Sequence, residues 1–149
     1  MSYYNSSIDS SPTRTKATLK AFLDANKRVV VIAGGKDKNS DYTGLGESIL
    51  QVSNKIILCG QNSKLIKESI ENAINTKNQE NHGTEDIDFI KNNVFLYNVN
   101  TYEEAVQKAR ELADKDESVV LTPAGTSFDR FRNFEERGNT FKALINSLE

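Results

Sequence analysis

The 149-residue chain is short of the residues that most often carry metal and covalent chemistry. It has one cysteine, Cys59, and one histidine, His82. A lone cysteine excludes an internal disulfide and any cysteine-based zinc cage. A lone histidine removes the common histidine-centred metal sites and leaves a Ser-His-Asp triad without support, so no metal ligands are assigned. Long hydrophobic runs are missing as well: nothing approaches the ~20 apolar residues that a spanning helix needs. The polar start, Met1 to Ser11, lacks the apolar stretch of a secretion signal. There is no basic excess either, since 19 Lys+Arg face 21 Asp+Glu for a net charge of −2. Nucleic-acid binding usually needs clustered positive charge, so that partner class is set aside. These absences predict a cytoplasmic chain in a reducing compartment, with no membrane insertion. What remains is 37% hydrophobic residues, a modest share that still suffices for one core in one domain of ordinary size.

β-rich runs alternate with helical ones. Tyr3–Ile8 reads as a weak first strand, diluted by Asn5, Ser6 and Ser7. Ser11 and Pro12 then suit the cap and first position of a helix, with Ala17, Leu19, Ala21, Phe22 and Leu23 as its apolar face. Arg28–Ala33 is almost all β-branched, as expected of a parallel strand covered on both sides. Ser40 or Asp41 can cap a short helix holding Leu45, Ile49 and Leu50. Lys55–Cys59 is a second buried strand, and Ser63 to about Asn75 is amphipathic. Thr76–Thr84 has no apolar residue and reads as an inserted mobile loop containing His82. Val94–Val99 is a third strong strand. Thr101 with Glu104 forms a capping box before the next helix. Ser118–Thr122 is the fourth strong strand, and 127–148 reads as a short and a long helix broken near Asn133. Four buried strands, each followed by a helix, predict an α/β, Rossmann-like, mostly parallel sheet with helices on both faces. The weak strand would lie at an edge or run antiparallel.

In such sheets ligands bind at the carboxyl ends of strands, which selects a few segments. Asp9-Ser10-Ser11-Pro12-Thr13-Arg14 places a carboxylate, hydroxyls and a cation at a strand-to-helix junction, where free N–H groups attract anions. Plain helix capping explains the same residues. Gly34-Gly35-Lys36-Asp37-Lys38 sets two ammonium groups beyond a strand end, suited to carboxylate or phosphate, or simply a solvated glycine turn. It lacks the spacing of a phosphate loop. Gly44-Leu45-Gly46 is only part of a dinucleotide fingerprint and does not directly follow a strand. Pro123–Asp129 offers small residues, with Ser127 at a helix start able to hold a carboxylate or merely to cap. In the charge-rich run that follows, Phe131 and Phe134 read as core anchors and the charges as a solvated face. Cys59 reads as a small core residue.

Three stretches, NSSIDSSPTRT (5–15), VIAGGKDK (31–38) and LTPAGTSFDRFRNFEERGNTFK (121–142), resemble the C-terminal domain of the Mur ligases, above all its D-glutamate-adding branch. The resemblance covers nearly the whole chain in consistent order, Thr76–Thr84 excepted. It implies that residues 1–149 are one glutamate ligase domain, cut off from an N-terminal UDP-binding domain and a central ATPase domain. It implies an ADP-forming acid–amino-acid ligase of peptidoglycan and cell-wall synthesis, using ATP and Mg²⁺ held mainly by the absent central domain. In that chemistry ATP phosphorylates the terminal carboxylate of UDP-N-acetylmuramoyl-L-alanine, and the amine of D-glutamate attacks the acyl phosphate. The isolated domain would be inactive. Carried across position by position, Asp9 matches the residue that holds the ATP ribose. Thr13, Lys38 and Ser127 match the side chains on the D-glutamate carboxylates. Phe128 matches a backbone N–H donor and Phe134 a wall of that pocket. Many family members carry lysine at the position of Ser11 and asparagine at that of Arg14, and the lysine meets phosphate. Ser11 supplies no charge, which leaves Arg14 or Lys36 to do so. A related ligase, such as folylpolyglutamate synthase or another Mur enzyme, and a stand-alone Rossmann-like binding module are the alternatives.

Overall fold

In a computed structural model, residues 2–80 and 93–148 are described. The order is β1 (Tyr3–Asn5), α1 (Pro12–Asp24), β2 (Val29–Ala33), α2 (Leu45–Leu50), β3 (Lys55–Leu58), α3 (Ser63–Glu80), β4 (Phe95–Asn98), α4 (Tyr102–Leu112), β5 (Ser118–Leu121) and α5 (Phe134–Leu148). The strands form one sheet in the order β1-β5-β2-β3-β4, parallel at every pairing. One register line crosses it from Tyr3 through Val119, Val30 and Lys55 to Phe95.

β2 is buried at all five residues, because its alternating side chains feed two cores. Val29, Val31 and Ala33 join Leu19, Leu45, Ile49, Ile66 and Ile70, from α1, α2 and α3, on one face. Val30 and Ile32 join Tyr102, Ala105, Val106, Ala109 and Phe141, from α4 and α5, on the other. This double burial is the physical meaning of the RVVVIA run. Among the described residues, no helix is long and apolar enough to cross a membrane.

Several local expectations are corrected. β1 is at the edge as expected, but parallel to β5 and only three residues long. Ser11 caps α1, accepting from the N–H of Arg14 at 3.3 Å. The inward face of α1 is Pro12, Thr15 and Leu19, with Phe22 partly buried. Ala17, Ala21 and Leu23 are exposed. Neither Ser40 nor Asp41 caps α2: the cap is Gly44, in the left-handed region with φ 81°. β4 is an outer strand with Phe95 42% exposed, so among the described residues only β5, β2 and β3 have a strand on each side. α3 runs on to Glu80, through the first half of the expected loop, and the Thr76 hydroxyl donates to the carbonyl of Asn72. The rest of that loop, with His82, lies outside the described residues. The expected short helix at Ser127 is a single turn, in which the Ser127 carbonyl accepts from the N–H groups of Arg130 and Phe131. The break near Asn133 is a helix start, where the Asn133 side chain accepts from the N–H of Glu136 at 2.8 Å. Thr101 caps α4 as expected, while Glu104 reaches the N–H of Asn100 and not that of Thr101.

Candidate functional site

β1 and β2 are each followed by helices on one face of the sheet, whereas β5 is followed by α5 on the other. Because β5 lies between β1 and β2, the chain diverges on both sides of its carboxyl end. Crevices of this kind are where open α/β sheets place ligands. Three loops meet there: 6–11 after β1, 34–43 after β2 and 122–133 after β5.

The first loop holds Asp9, a carboxylate only 5% exposed. Its Oδ2 accepts from the hydroxyls of Thr18 and Thr122, each at 2.7 Å. Since Thr122 spends its proton on Asp9, Thr15 Oγ1, 2.9 Å away, must donate to Thr122. Two hydroxyls therefore point their protons at one carboxylate oxygen, and the third backs Thr122. Among the described residues Oδ1 has no hydrogen-bond partner. Ser11 is used as a cap, and Thr13 and Arg14 stand exposed on the first turn of α1.

The second loop is pinned to the third by a two-residue antiparallel bridge. The N–H of Lys36 donates to Thr126 O at 2.8 Å, and that of Thr126 to Lys36 O at 3.1 Å. Lys36 thus lies beside Thr126, the residue before Ser127. The Lys36 and Lys38 side chains are exposed, and among the described residues neither ammonium forms an ion pair. Asp37, between them, is held by the hydroxyl of Tyr42 at 3.0 Å and the N–H of Ser40 at 3.3 Å. The lysines therefore stand on a fixed turn. In the third loop Ser127 is 3% and Phe128 65% exposed. Lys36, Gly60, Gln61, Phe128, Asp129 and Arg130 border an open hollow at this edge. Phe134 is half-buried at the head of α5, and its carbonyl accepts from the hydroxyl of Ser7 at 2.7 Å. Among the described residues no hydrogen bond joins Thr13, Lys38 and Ser127.

Two residues at this edge escaped the sequence reading. Asn62, 1% exposed, accepts from the N–H of Gly35 at 2.8 Å and donates to Tyr42 Oη and Ala124 O. It thereby ties the loop after β3 to the other two. Arg137, taken as part of a solvated face, is also 1% exposed. Burial draws its pKa below the usual arginine value, while Tyr102, Asp129 and Asp9 act in the opposite sense. A charge count alone cannot show which arginine is buried. Its place three to four residues behind Phe134 and Asn133, on the inward side of α5, was the available signal.

The fold and this edge define a class: a parallel α/β domain that collects one shielded carboxylate, free ammonium groups and a buried serine at a topological switch point. The family described as Mur ligase, glutamate ligase domain, matches residues 6–125. Relatives named UDP-N-acetylmuramoylalanine–D-glutamate ligase agree in the same way. That of Ruminiclostridium cellulolyticum is 44% identical over 147 residues, covering 99% of this chain and 29% of the relative. That of Acetivibrio thermocellus is 40% identical over 147 residues, 99% of this chain and 28% of the relative. That of Clostridium novyi is 37% identical over 146 residues, 98% of this chain and 28% of the relative. The chain belongs to the Mur ligase family, as its glutamate ligase domain, and spans less than a third of the length of these relatives.

Proposed function

We propose that the chain is the substrate-binding domain of a cytoplasmic, ATP-dependent ligase that joins D-glutamate to UDP-N-acetylmuramoyl-L-alanine in peptidoglycan precursor synthesis. UDP binding and triphosphate binding belong to sequence outside these 149 residues. The observation that supports the reading is the pairing of loops 34–43 and 122–133, in which the backbone of Lys36 bridges Thr126, the residue before buried Ser127. D-Glutamate carries two carboxylates, and a cation with hydroxyl and N–H donors is a fitting receptor for them. In this reading Lys38, Thr13 and Ser127 hold the carboxylates, the backbone N–H of Phe128 adds a donor, and Phe134 lines the pocket.

ATP fits the neighbouring loop. Asp9 has one oxygen fixed by two threonine hydroxyls, which leaves the other to accept from the ribose hydroxyls. Arg14 and Lys36 supply the phosphate-side charge that Ser11 cannot. Among the described residues there is no cluster of three or more His, Cys, Asp or Glu suited to a metal ion. In this reading Mg²⁺ is held with the triphosphate by ligands outside this chain. Bound ATP supplies the activating phosphoryl group. The contribution of these loops is to hold the amino acid, complete the nucleotide site and shield the activated acid from water.

The test is D-glutamate-dependent ADP release by the protein as it occurs naturally. Lys38→Ala should raise the KM for D-glutamate on the order of 10–150-fold, equivalent to roughly 1.5–3 kcal/mol for a charge-assisted bond. The KM for ATP should hardly change, and Lys36→Ala should affect D-glutamate less. If only Lys36→Ala affects D-glutamate, the two lysines exchange roles. If neither does, the carboxylates are held elsewhere.

A further inference from the structure

Arg137 is out of place by the ordinary rules of burial. Its guanidinium is almost fully withdrawn from water, yet among the described residues it forms no ion pair. Buried charges are normally paired, and an apolar side chain of similar size often serves stability equally well. Its contacts are instead with loops. Nε donates to Ser7 Oγ at 2.9 Å, Nη2 to Ser7 O at 2.6 Å, and Nη1 to Gly125 O at 2.9 Å. The same Nη1 lies against Gly35, where an added Cβ would come within 3.0 Å of it. That Cβ would also sit 2.6 Å from Thr126 O, so Gly35 and the 125–126 backbone are as close as two chains can pack.

One side chain from α5 therefore touches the loop after β1, the loop after β2 and the loop after β5. Ser7 stands two residues before Asp9, Gly35 one before Lys36, and Gly125 two before Ser127. The hydroxyl of Ser7, which accepts from Arg137, donates in turn to the carbonyl of Phe134. A planar fork of donors in fixed geometry can hold such an arrangement, whereas a point charge on a flexible stem cannot.

We propose that Arg137 is a positioning residue that sets the spacing between the nucleotide loop and the amino-acid loop, so that both substrates depend on it although it touches neither. This inference rests on the function proposed above. It carries a signature that no contact residue shares. Loss of Asp9 should weaken ATP alone and loss of Lys38 should weaken D-glutamate alone, whereas loss of the Arg137 fork should weaken both together.

The experiment measures initial rates of ADP release by the naturally occurring protein, with ATP and D-glutamate varied in turn. Arg137→Lys keeps a charge and loses the fork. Ser7→Ala removes one acceptor and leaves the two backbone bonds. Both KM values are expected to rise together, about tenfold in Arg137→Lys and about threefold in Ser7→Ala, with kcat changing less than either. Unchanged KM values with less active protein would make Arg137 a structural filler and overturn the proposal. A rise in one KM alone would also overturn it, since that pattern marks a contact residue. If Arg137→Lys does not fold, Ser7→Ala decides by the same two values. A wild-type protein that releases no ADP in response to D-glutamate would overturn the proposed function first, and this inference with it.

Discussion

Tyr42 shows how one side chain can tie a site to its core. Its ring belongs to the core under α2, and its hydroxyl donates to Asp37 and accepts from Asn62. Burial pushes its pKa from 10.0 up to about 12, with the neighbouring Asp37 acting in the same direction and Asn62 opposing it. An unfolded chain gives up this proton near pH 10 and the folded chain only near 12. The unfolded state therefore binds fewer protons between those values, and stability falls as pH rises through them. Below about pH 10 the contribution is complete. Tyr42→Phe should flatten this alkaline decline in urea-unfolding free energies measured from pH 8 to 12. Cys59 and Tyr102 decline in the same sense, because burial raises both, so some slope should survive. An unaltered slope would mean that Tyr42 ionises with equal ease in both states.

At the level of elements, Gly46 shows what was and was not legible. Gly44-Leu45-Gly46 looks like a fragment of a dinucleotide fingerprint, but Gly44 supplies the left-handed cap of α2 and Gly46 serves packing. A Cβ on Gly46 would fall 2.2 Å from Ser69 O on α3, and the N–H of Gly46 donates to Ser69 Oγ at 2.8 Å. Gly46→Ala gains helix propensity, yet it must force α2 and α3 apart. The expected net loss is about 1–3 kcal/mol by denaturant unfolding, and a stabilised variant would show that the helices can slide. Strands β2, β3 and β5 were readable because β-branched runs have few other uses. Val94–Val99 misled for the same reason: composition does not reveal that a strand ends up outermost. α3 outran its apolar stripe because helix propagation needs no apolar residue once a turn is formed. The site was legible as loops, since glycines and strand ends mark them. The Arg137 fork and the Asn62 hub were not legible, because both depend on which loops the topology brings together.

For the molecule as a whole, Cys59 reports on global integrity. It lies in the second core, 1% exposed, and burial pushes its thiol up to about 11. At pH 8 only on the order of a thousandth of the thiol is ionised, and the thiolate is the reactive form. A thiol reagent should modify the native chain no faster than the sheet unfolds, and at once in denaturant. Prompt labelling of the native chain would mean that the edge between β3 and α4 opens by itself.

The sheet order also has a consequence for how the chain assembles. β1 and β2 are consecutive strands, yet they never touch, because β5, which follows every other described strand in the chain, is inserted between them. A growing chain can zip β2, β3 and β4 together in turn, while β1 must wait with its slot unfilled until Ser118–Leu121 arrives. Early pairing of β1 with β2 would be a kinetic trap, to be undone before the fold can close. The three residues and half-exposed pattern of β1 fit that need: a strand too weak to pair prematurely leaves the gap open. Parallel pairing across so long a stretch of chain is slow by its nature. The loops of the site come from both sides of that gap, so they are assembled in the same late event that completes the sheet.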